Sequence, residues 1–221
     1  MSAAAVCVFD LNGTLLDMAA LDPAFRRVFG KAGVRKLWFG RLQAMWMTDL
    51  ACGTYRPFDA LARSALRAVA AEESAVLSSA AEREILGLMT ELPAFPDVRP
   101  ALGRLAAGGV RHVALTNGTR KSAKRQVKFA GLAEALGEVY SAEAVKRYKP
   151  APEPYRYVAG ELGVKPKKLL LVAAHDWDVA GAAAAGLRTA FVARPGQALD
   201  PDGGRPDYRA RDLGELAGQL L

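Results

Sequence analysis

The residue best placed to do chemistry in this chain is Asp10. It ends the apolar run of Val8 and Phe9 and is followed by Leu11, Asn12 and a turn at Gly13. A carboxylate at a strand tip beside a glycine turn faces backbone N–H groups. That arrangement can bind an anion and present a nucleophile together. The same aspartate could simply cap a turn. Three further polar clusters can join it: Thr116–Asn117, Lys149, and the run from His175 to Asp178. The other histidine, His112, lies inside a strand-like run and reads as structural.

These residues need elements to bring them together. Ala3–Phe9 reads as a buried strand, a short Val-containing apolar run that stops at Asp10. From about Ala19 to Leu92 the chain is rich in Ala, Leu, Arg and Met. This stretch predicts helices near Pro23–Gly30, Val34–Cys52, Phe58–Ala71 and Glu73–Leu92. From Val98 onward the pattern alternates. Helices are predicted at Pro100–Ala107, Arg120–Ala130 and Val179–Ala185, with strands at Val110–Thr116, Lys168–Ala174 and Leu187–Val192. Alternation of this kind argues for a parallel sheet covered by helices on both faces, with chemistry at the carboxyl ends of the strands. All four polar clusters fall in that half of their units. The expected fold is α/β: a Rossmann-like parallel-sheet core, residues 1–17 and 93–221, interrupted by an all-helical cap domain at 18–92. Pro195–Asp207, rich in Pro, Gly and Asp, reads as a loop.

Composition narrows the function classes. Of the 221 residues, 51% are hydrophobic and 24% charged, enough for a sizeable core and against disorder. Cys7 and Cys52 are two scattered thiols, neither a disulfide framework nor a metal motif, and a reducing cytoplasm is the expected compartment. The apolar N-terminus lacks a basic leader and runs directly into Asp10, so no signal peptide is expected. No run approaches the about 18 apolar residues of a membrane span. The net charge of +7 suits either a small anionic substrate or a basic, solubilising surface, and no nucleic-acid partner is expected. The basic stretch Arg120, Lys121, Lys124, Arg125 and Lys128 reads first as a solvated helix face. An apolar face of the cap or core could support a homodimer.

The segment FDLNGTLLD, from Phe9 to Asp17, closely resembles the first motif of the haloacid dehalogenase superfamily. Three later segments follow in that family's order. They are LTNGT (Leu115–Thr119), YKPAPEPY (Tyr148–Tyr155) and VAAHDWDVAGAAAAGL (Val172–Leu187). WFGRLQ (Trp38–Gln43) and GTYRPF (Gly53–Phe58) resemble the helical cap of type II (S)-2-haloacid dehalogenases. The resemblance implies roles for individual residues. Asp10 is the nucleophile and Lys149 the lysine that holds it ionised and oriented. Thr14, Thr116 and Asn117 hydrogen-bond nucleophile, substrate or departing halide, or else cap turns. Trp177 lines the halide pocket or packs the core. Asp178 orients Lys149 or positions water. Tyr155 and the backbone at Leu11, Asn12 and Asn117 join the substrate-binding set.

Departures from the family's phosphatase branch are equally informative. Phosphatases of this superfamily carry an acid two residues after the nucleophile, to protonate the leaving alkoxide. Here that position is Asn12, which cannot act as an acid. Halide leaves without protonation, so a dehalogenase does not need one. Where phosphatases place Gly-Asp to ligate magnesium, this chain has Ala173 and Ala174. Alanine offers a hard cation no oxygen. No metal and no cofactor are therefore expected, with magnesium required only if a phosphatase reading holds. Asp176, two residues after Ala174, could substitute. His175 stands where the familiar dehalogenases carry Asn, and it could activate water or donate one hydrogen bond. Their usual cap arginine aligns with Phe39. Arg41 lies two residues on, about 200° around a helix, and a local shift would bring it in; Phe39 and Arg41 are both expected in the substrate-binding set.

The resemblance thus implies displacement of halide from a short 2-haloalkanoic acid by Asp10, through an aspartyl ester, to give a 2-hydroxy acid. Water held by Asp178 and His175 would hydrolyse the ester, and Phe39, Leu42, Met45 and Trp46 would exclude bulk solvent. Two alternatives accompany it: a phosphatase or phosphonate hydrolase of the same superfamily, and a non-catalytic anion-binding protein.

Overall fold

The computed structural model describes residues 6–221. Six parallel strands form one sheet, ordered β3-β2-β1-β4-β5-β6. Along the chain these are β1 (Val6–Phe9), β2 (Arg111–Thr116), β3 (Val139–Ser141), β4 (Leu169–Ala173), β5 (Arg188–Val192) and β6 (Tyr208–Ala210). The chain builds outward from β1 in one direction through β2 and β3. It then returns to the other side of β1 for β4, β5 and β6. Such a reversal leaves a crevice at the carboxyl end of the central strand, and Asp10 is the first residue after β1. Its backbone N–H still donates to Val172 O at 3.0 Å, so the ladder fixes where the carboxylate begins.

Side-chain alternation divides the core between the two sheet faces. Cys7 and Phe9 of β1 join Leu170 and Val172 of β4 in one cluster, while Val6 and Val8 join Leu169, Leu171 and Ala173 in the other. Between β1 and β2 the chain runs through α1 (Asp22–Phe29), α2 (Val34–Ala51), α3 (Phe58–Glu72), α4 (Ser79–Leu88) and α5 (Val98–Ala107). Trp38, Leu42 and Trp46 of α2 bury into the first cluster, which makes the helical insertion and that sheet face continuous. Later come α6 (Arg120–Phe129), α7 (Pro152–Glu161), α8 (Asp176–Ala184) and α9 (Leu213–Leu220). Tyr155 and Val158 of α7 and Val179 of α8 cover the other face.

The fold corrects several expected boundaries. The helix expected over Glu73–Leu92 begins only at Ser79. Ser74 has φ of 51°, which ends α3, and the Ser78 hydroxyl caps α4 by accepting from Ala81 N at 3.1 Å. α8 starts at Asp176 rather than Val179, and β3, α7, β6 and α9 were not expected. Two of the unexpected elements, β3 and β6, are strands of three residues, too short for a period-2 signal. The segment Ala3–Ala5 of the expected first strand lies outside the described residues. Pro195–Asp207 holds no helix or strand, in keeping with a loop. Among the described residues no helix is long and apolar enough to cross a membrane.

One close approach positions the catalytic edge. A Cβ added at Gly181, in α8, would stand 2.6 Å from Pro150 O and 2.7 Å from Pro150 Cα. Only glycine lets α8 pack this tightly on the segment carrying Lys149. Gly181→Ala is expected to lower unfolding stability by about 1–3 kcal/mol through overpacking. Urea denaturation checks it, and an unchanged midpoint would show that the loop yields freely.

Candidate active site

The site is organised around a buried ammonium. Lys149, fully buried, donates through Nζ to Asp10 Oδ1 at 2.8 Å, Asp178 Oδ2 at 2.6 Å and Leu115 O at 3.1 Å. These three acceptors match the three N–H groups of an ammonium. Asn117 clips the Lys149 backbone in place. Its Nδ2 donates to Lys149 O at 3.1 Å, and its Oδ1 accepts from Lys149 N at 2.7 Å. The end of β2 therefore fixes the lysine that serves the end of β1.

The nucleophile's second oxygen is equally constrained. Thr14 Oγ1 accepts from Ala174 N at 3.0 Å, which turns its hydroxyl hydrogen toward Asp10 Oδ2 at 2.8 Å. His175 Nδ1 lies 3.2 Å from the same oxygen. A carboxylate only accepts, so Nδ1 is the donor and Nε2 is left facing the Gly13 turn. Gly13 has φ of 80°, and a Cβ there would sit 3.1 Å from that imidazole.

Electrostatics follow from burial and charge in opposition. Burial pushes the Asp10 carboxyl up, but the Lys149 charge and the His175 hydrogen bond outweigh it and hold Asp10 well below the usual carboxylate range. Asp178 moves the other way: burial, with the Asp10 charge adding to it, raises its pKa despite Lys149. Burial beside Asp178 also raises Tyr155 well above a normal phenol, so it stays protonated and donates to Asp178 Oδ1 at 2.6 Å.

Above Asp10 the insertion closes a cavity of about 20 Å³, room for one water-sized occupant. Its floor is Asp10, Asn12, Thr116, Asn117 and Gly118. Its walls are His175 and Trp177 from the core and Phe39, Trp46 and Phe58 from the insertion. His175 is stacked between Phe39, at 5.9 Å, and Trp177, at 5.2 Å. Phe39 and His175 also border a wider cleft of about 530 Å³, which opens past Arg35, Lys36 and Gln43. The pair thus stands between the reaction cavity and its approach.

Of the expected site residues, Asp10, Asn12, Thr14, Thr116, Asn117, Lys149, His175, Asp178, Trp177 and Phe39 gather here. Leu11 contributes backbone only, its side chain being buried in the core. Two residues are corrected. Arg41 is not brought to the site: its turn of α2 directs it outward to an ion pair with Glu72. Tyr155 is not a substrate contact; its hydroxyl is committed to Asp178. Met45 and Leu42 back the insertion without bordering the cavity. Gln126 was not anticipated. Its amide donates to Asn12 Oδ1 at 2.8 Å and to Met89 O at 2.6 Å, locking the Asn12 side chain. The one hint was an uncharged amide within an otherwise cationic helical run. Arg194 was also missed; its Nε donates to Thr14 O at 2.9 Å, bracing the nucleophile's turn.

Magnesium does not fit this donor set. Ala173 and Ala174 supply no oxygen side chain, and Asp176 accepts from Trp177 N while lining a separate surface pocket.

Comparison with known proteins shows the family of the chain. The model of the haloacid dehalogenase-like hydrolase family matches residues 4–186. An (S)-2-haloacid dehalogenase of Pseudomonas putida, H-109, is 30% identical over 97% of this chain and 96% of its own length. (S)-2-haloacid dehalogenase 1 of Pseudomonas sp. strain CBS-3 is 29% identical, covering 97% of this chain and 96% of that protein. A crystal structure of an L-2-haloacid dehalogenase superposes with a TM-score of 0.94 at 28% identity, covering all of this chain and 99% of the other.

Removing the ammonium should make stability fall more steeply as pH rises. In the wild type the depressed Asp10 contributes stability above its ordinary value of 3.8, lost only as pH falls through the lower folded value. In Lys149→Met burial would raise both carboxyls, so folding would take up protons. That variant is expected to lose about 3–5 kcal/mol at neutral pH and to be more stable at pH 5 than at pH 7. Urea denaturation at the two pH values tests this, and an unaltered slope would contradict it.

Proposed function

This chain belongs to the haloacid dehalogenase-like hydrolases, and from that premise we propose that it hydrolyses the carbon–halogen bond of short 2-haloalkanoic acids. The observation that carries the reading is Asp10: an ionised carboxylate under an aromatic roof, with Asn12 where the superfamily's phosphatases carry an acid.

In the scheme, residues 18–92 act as a cap over a core made of 1–17 and 93–221. The substrate anion passes Phe39 and His175 from the wider cleft. Its carboxylate rests against backbone N–H groups of Leu11, Asn12 and Asn117 at the strand ends. Asp10 attacks the halogen-bearing carbon from the side opposite the halogen. A C–O bond forms as the C–halogen bond breaks, and the halide leaves with the bonding pair. Closure of aromatic rings over the carboxylate strips water from the nucleophile and strengthens every charge interaction around it.

Water then attacks the ester at the Asp10 carbonyl carbon, and His175, with Nε2 free to accept, takes the water proton. The acyl C–O bond breaks, the departing alkoxide oxygen takes that proton back, and a 2-hydroxy acid of inverted configuration leaves as Asp10 regains its charge. Asp178 acts through Lys149, whose ammonium stays beside the Asp10 oxygen that regains charge. No cofactor takes part. The reading places the enzyme in the cytoplasm, in keeping with the free thiols of Cys7 and Cys52.

Halide release from a panel of short 2-haloacids, with EDTA present throughout, is the direct test. Turnover is expected in the wild type and none in Asp10→Asn; full activity in that variant would sink the scheme. Arg41→Ala should keep the wild-type rate within about twofold, as for an exposed substitution. A collapse of activity there would restore Arg41 to the site.

A further inference from the structure

Few donors in this site are unspent. The Lys149 ammonium is saturated by three acceptors, Arg41 points to Glu72, and Gly118 N donates to Thr116 Oγ1 at 3.0 Å. Phe39 supplies a ring where the resemblance leads one to look for a cation. Yet the leaving halide carries a full negative charge away from the polar floor toward a wall of aromatic rings, where an unpaired anion is costly.

Trp46 resolves this. It is 1% exposed, it borders the reaction cavity, and its indole Nε1 is a buried donor with no acceptor among the described residues. Buried donors almost always have partners, and an exception needs a reason. The contrast with Trp38 on the same helix is direct: Trp38 Nε1 donates to Ala62 O at 2.9 Å. The surroundings of Trp46 are rings: Phe39 at 5.9 Å, Trp177 at 5.6 Å, Phe58 and Tyr148 both at 6.2 Å. No oxygen is offered to it.

Direction matters as well. Backside displacement puts the leaving group across the reacting carbon from the attacking oxygen. Asp10 lies at the sheet edge, so the halide departs toward the insertion, the wall that Trp46 of α2 helps to form. We propose that the Trp46 indole N–H is the hydrogen-bond donor that receives the departing halide. The inference rests on the dehalogenase reading. No proton is transferred: the halide takes the bonding pair of the broken C–halogen bond, and the N–H donates a hydrogen bond to it. The same bond would hold free halide as a product inhibitor.

Trp46→Phe keeps a ring and deletes the N–H. Wild-type protein and this variant are compared in halide release, in inhibition by bromide, and by NMR of the indole N–H groups. Trp38, Trp46 and Trp177 are the only tryptophans, so the variant assigns the Trp46 resonance by its disappearance. If the variant does not fold, Trp38→Phe and Trp177→Phe assign it by elimination. The expected result is a saturable shift of the Trp46 resonance on adding bromide to the wild type. In the variant kcat should fall about tenfold or more, as for loss of a hydrogen bond to a charged group. The bromide inhibition constant should rise by a similar factor, with KM little changed. A wild type that releases halide while its Trp46 resonance ignores bromide, or a variant as fast as the wild type, would overturn this inference and leave the dehalogenase reading standing. A wild type that releases no halide would overturn that reading; the bromide titration would then decide alone whether Trp46 forms an anion site.

Discussion

Everything in this molecule that is costly converges on one buried ammonium. Two carboxylates, Asp10 and Asp178, flank the fully buried Lys149 within hydrogen-bonding distance. Without the cation they would face each other across a low-dielectric gap, and one would have to take up a proton. With it Asp10 remains ionised and can act as a nucleophile. Burying such a group is tolerable only when every remaining polar position is met. That requirement explains Leu115 O on the ammonium, Tyr155 on Asp178, and Thr14 with His175 on Asp10. It also explains why residues from β1, β2, β4, α7 and α8 must arrive at one point. A six-strand parallel sheet with its reversal at β1 is the geometry that delivers them.

The helical insertion supplies what the sheet edge lacks, an apolar lid. Because its helices share the hydrophobic cluster of one sheet face, the lid is held by the same burial that stabilises the core. Phe39 illustrates the consequence. It gives up a charge at the mouth of the site and gains a stacked contact with His175, which in turn is stacked on Trp177. The imidazole is thereby held by rings on both sides and by a carboxylate at Nδ1, and its remaining nitrogen is the part free to meet water.

Much of this was legible in the sequence, for identifiable reasons. Asp10 stood out because a strand that ends at a carboxylate and turns on glycine is a local pattern. The alternation after Val98 revealed the parallel sheet, since buried parallel strands read as short apolar runs. Lys149 and Asp178 were visible through the order of their motifs rather than through spacing. What stayed hidden depends on contacts across the chain. Gln126 reaches Asn12 over more than a hundred residues, and its place among basic residues says nothing of that partner. Arg41 looked available because helix position alone does not show that Glu72 lies beside it. Tyr155 turns its hydroxyl to Asp178, a direction that an aromatic in a motif does not disclose. The strands β3 and β6 are defined by pairing with β2 and β5, not by their own three residues.

A negatively charged site that must admit anions poses a last physical problem. Two unit charges 4 Å apart repel by about 4 kcal/mol at an effective dielectric constant near 20. Asn12 lessens this by replacing a potential carboxylate with a neutral amide, which Gln126 holds in one orientation. The parallel topology lessens it further. α6 and α8 each follow a strand, so their amino ends lie at the same sheet edge as Asp10 and present positive dipole ends and N–H groups to an incoming carboxylate. The net charge of +7 adds a field favourable to anions at longer range. The attraction therefore resides in fixed dipoles and surface charge, while the buried Lys149 ammonium is reserved for the nucleophile. That separation keeps Asp10 ionised without letting Lys149 be drawn to the substrate.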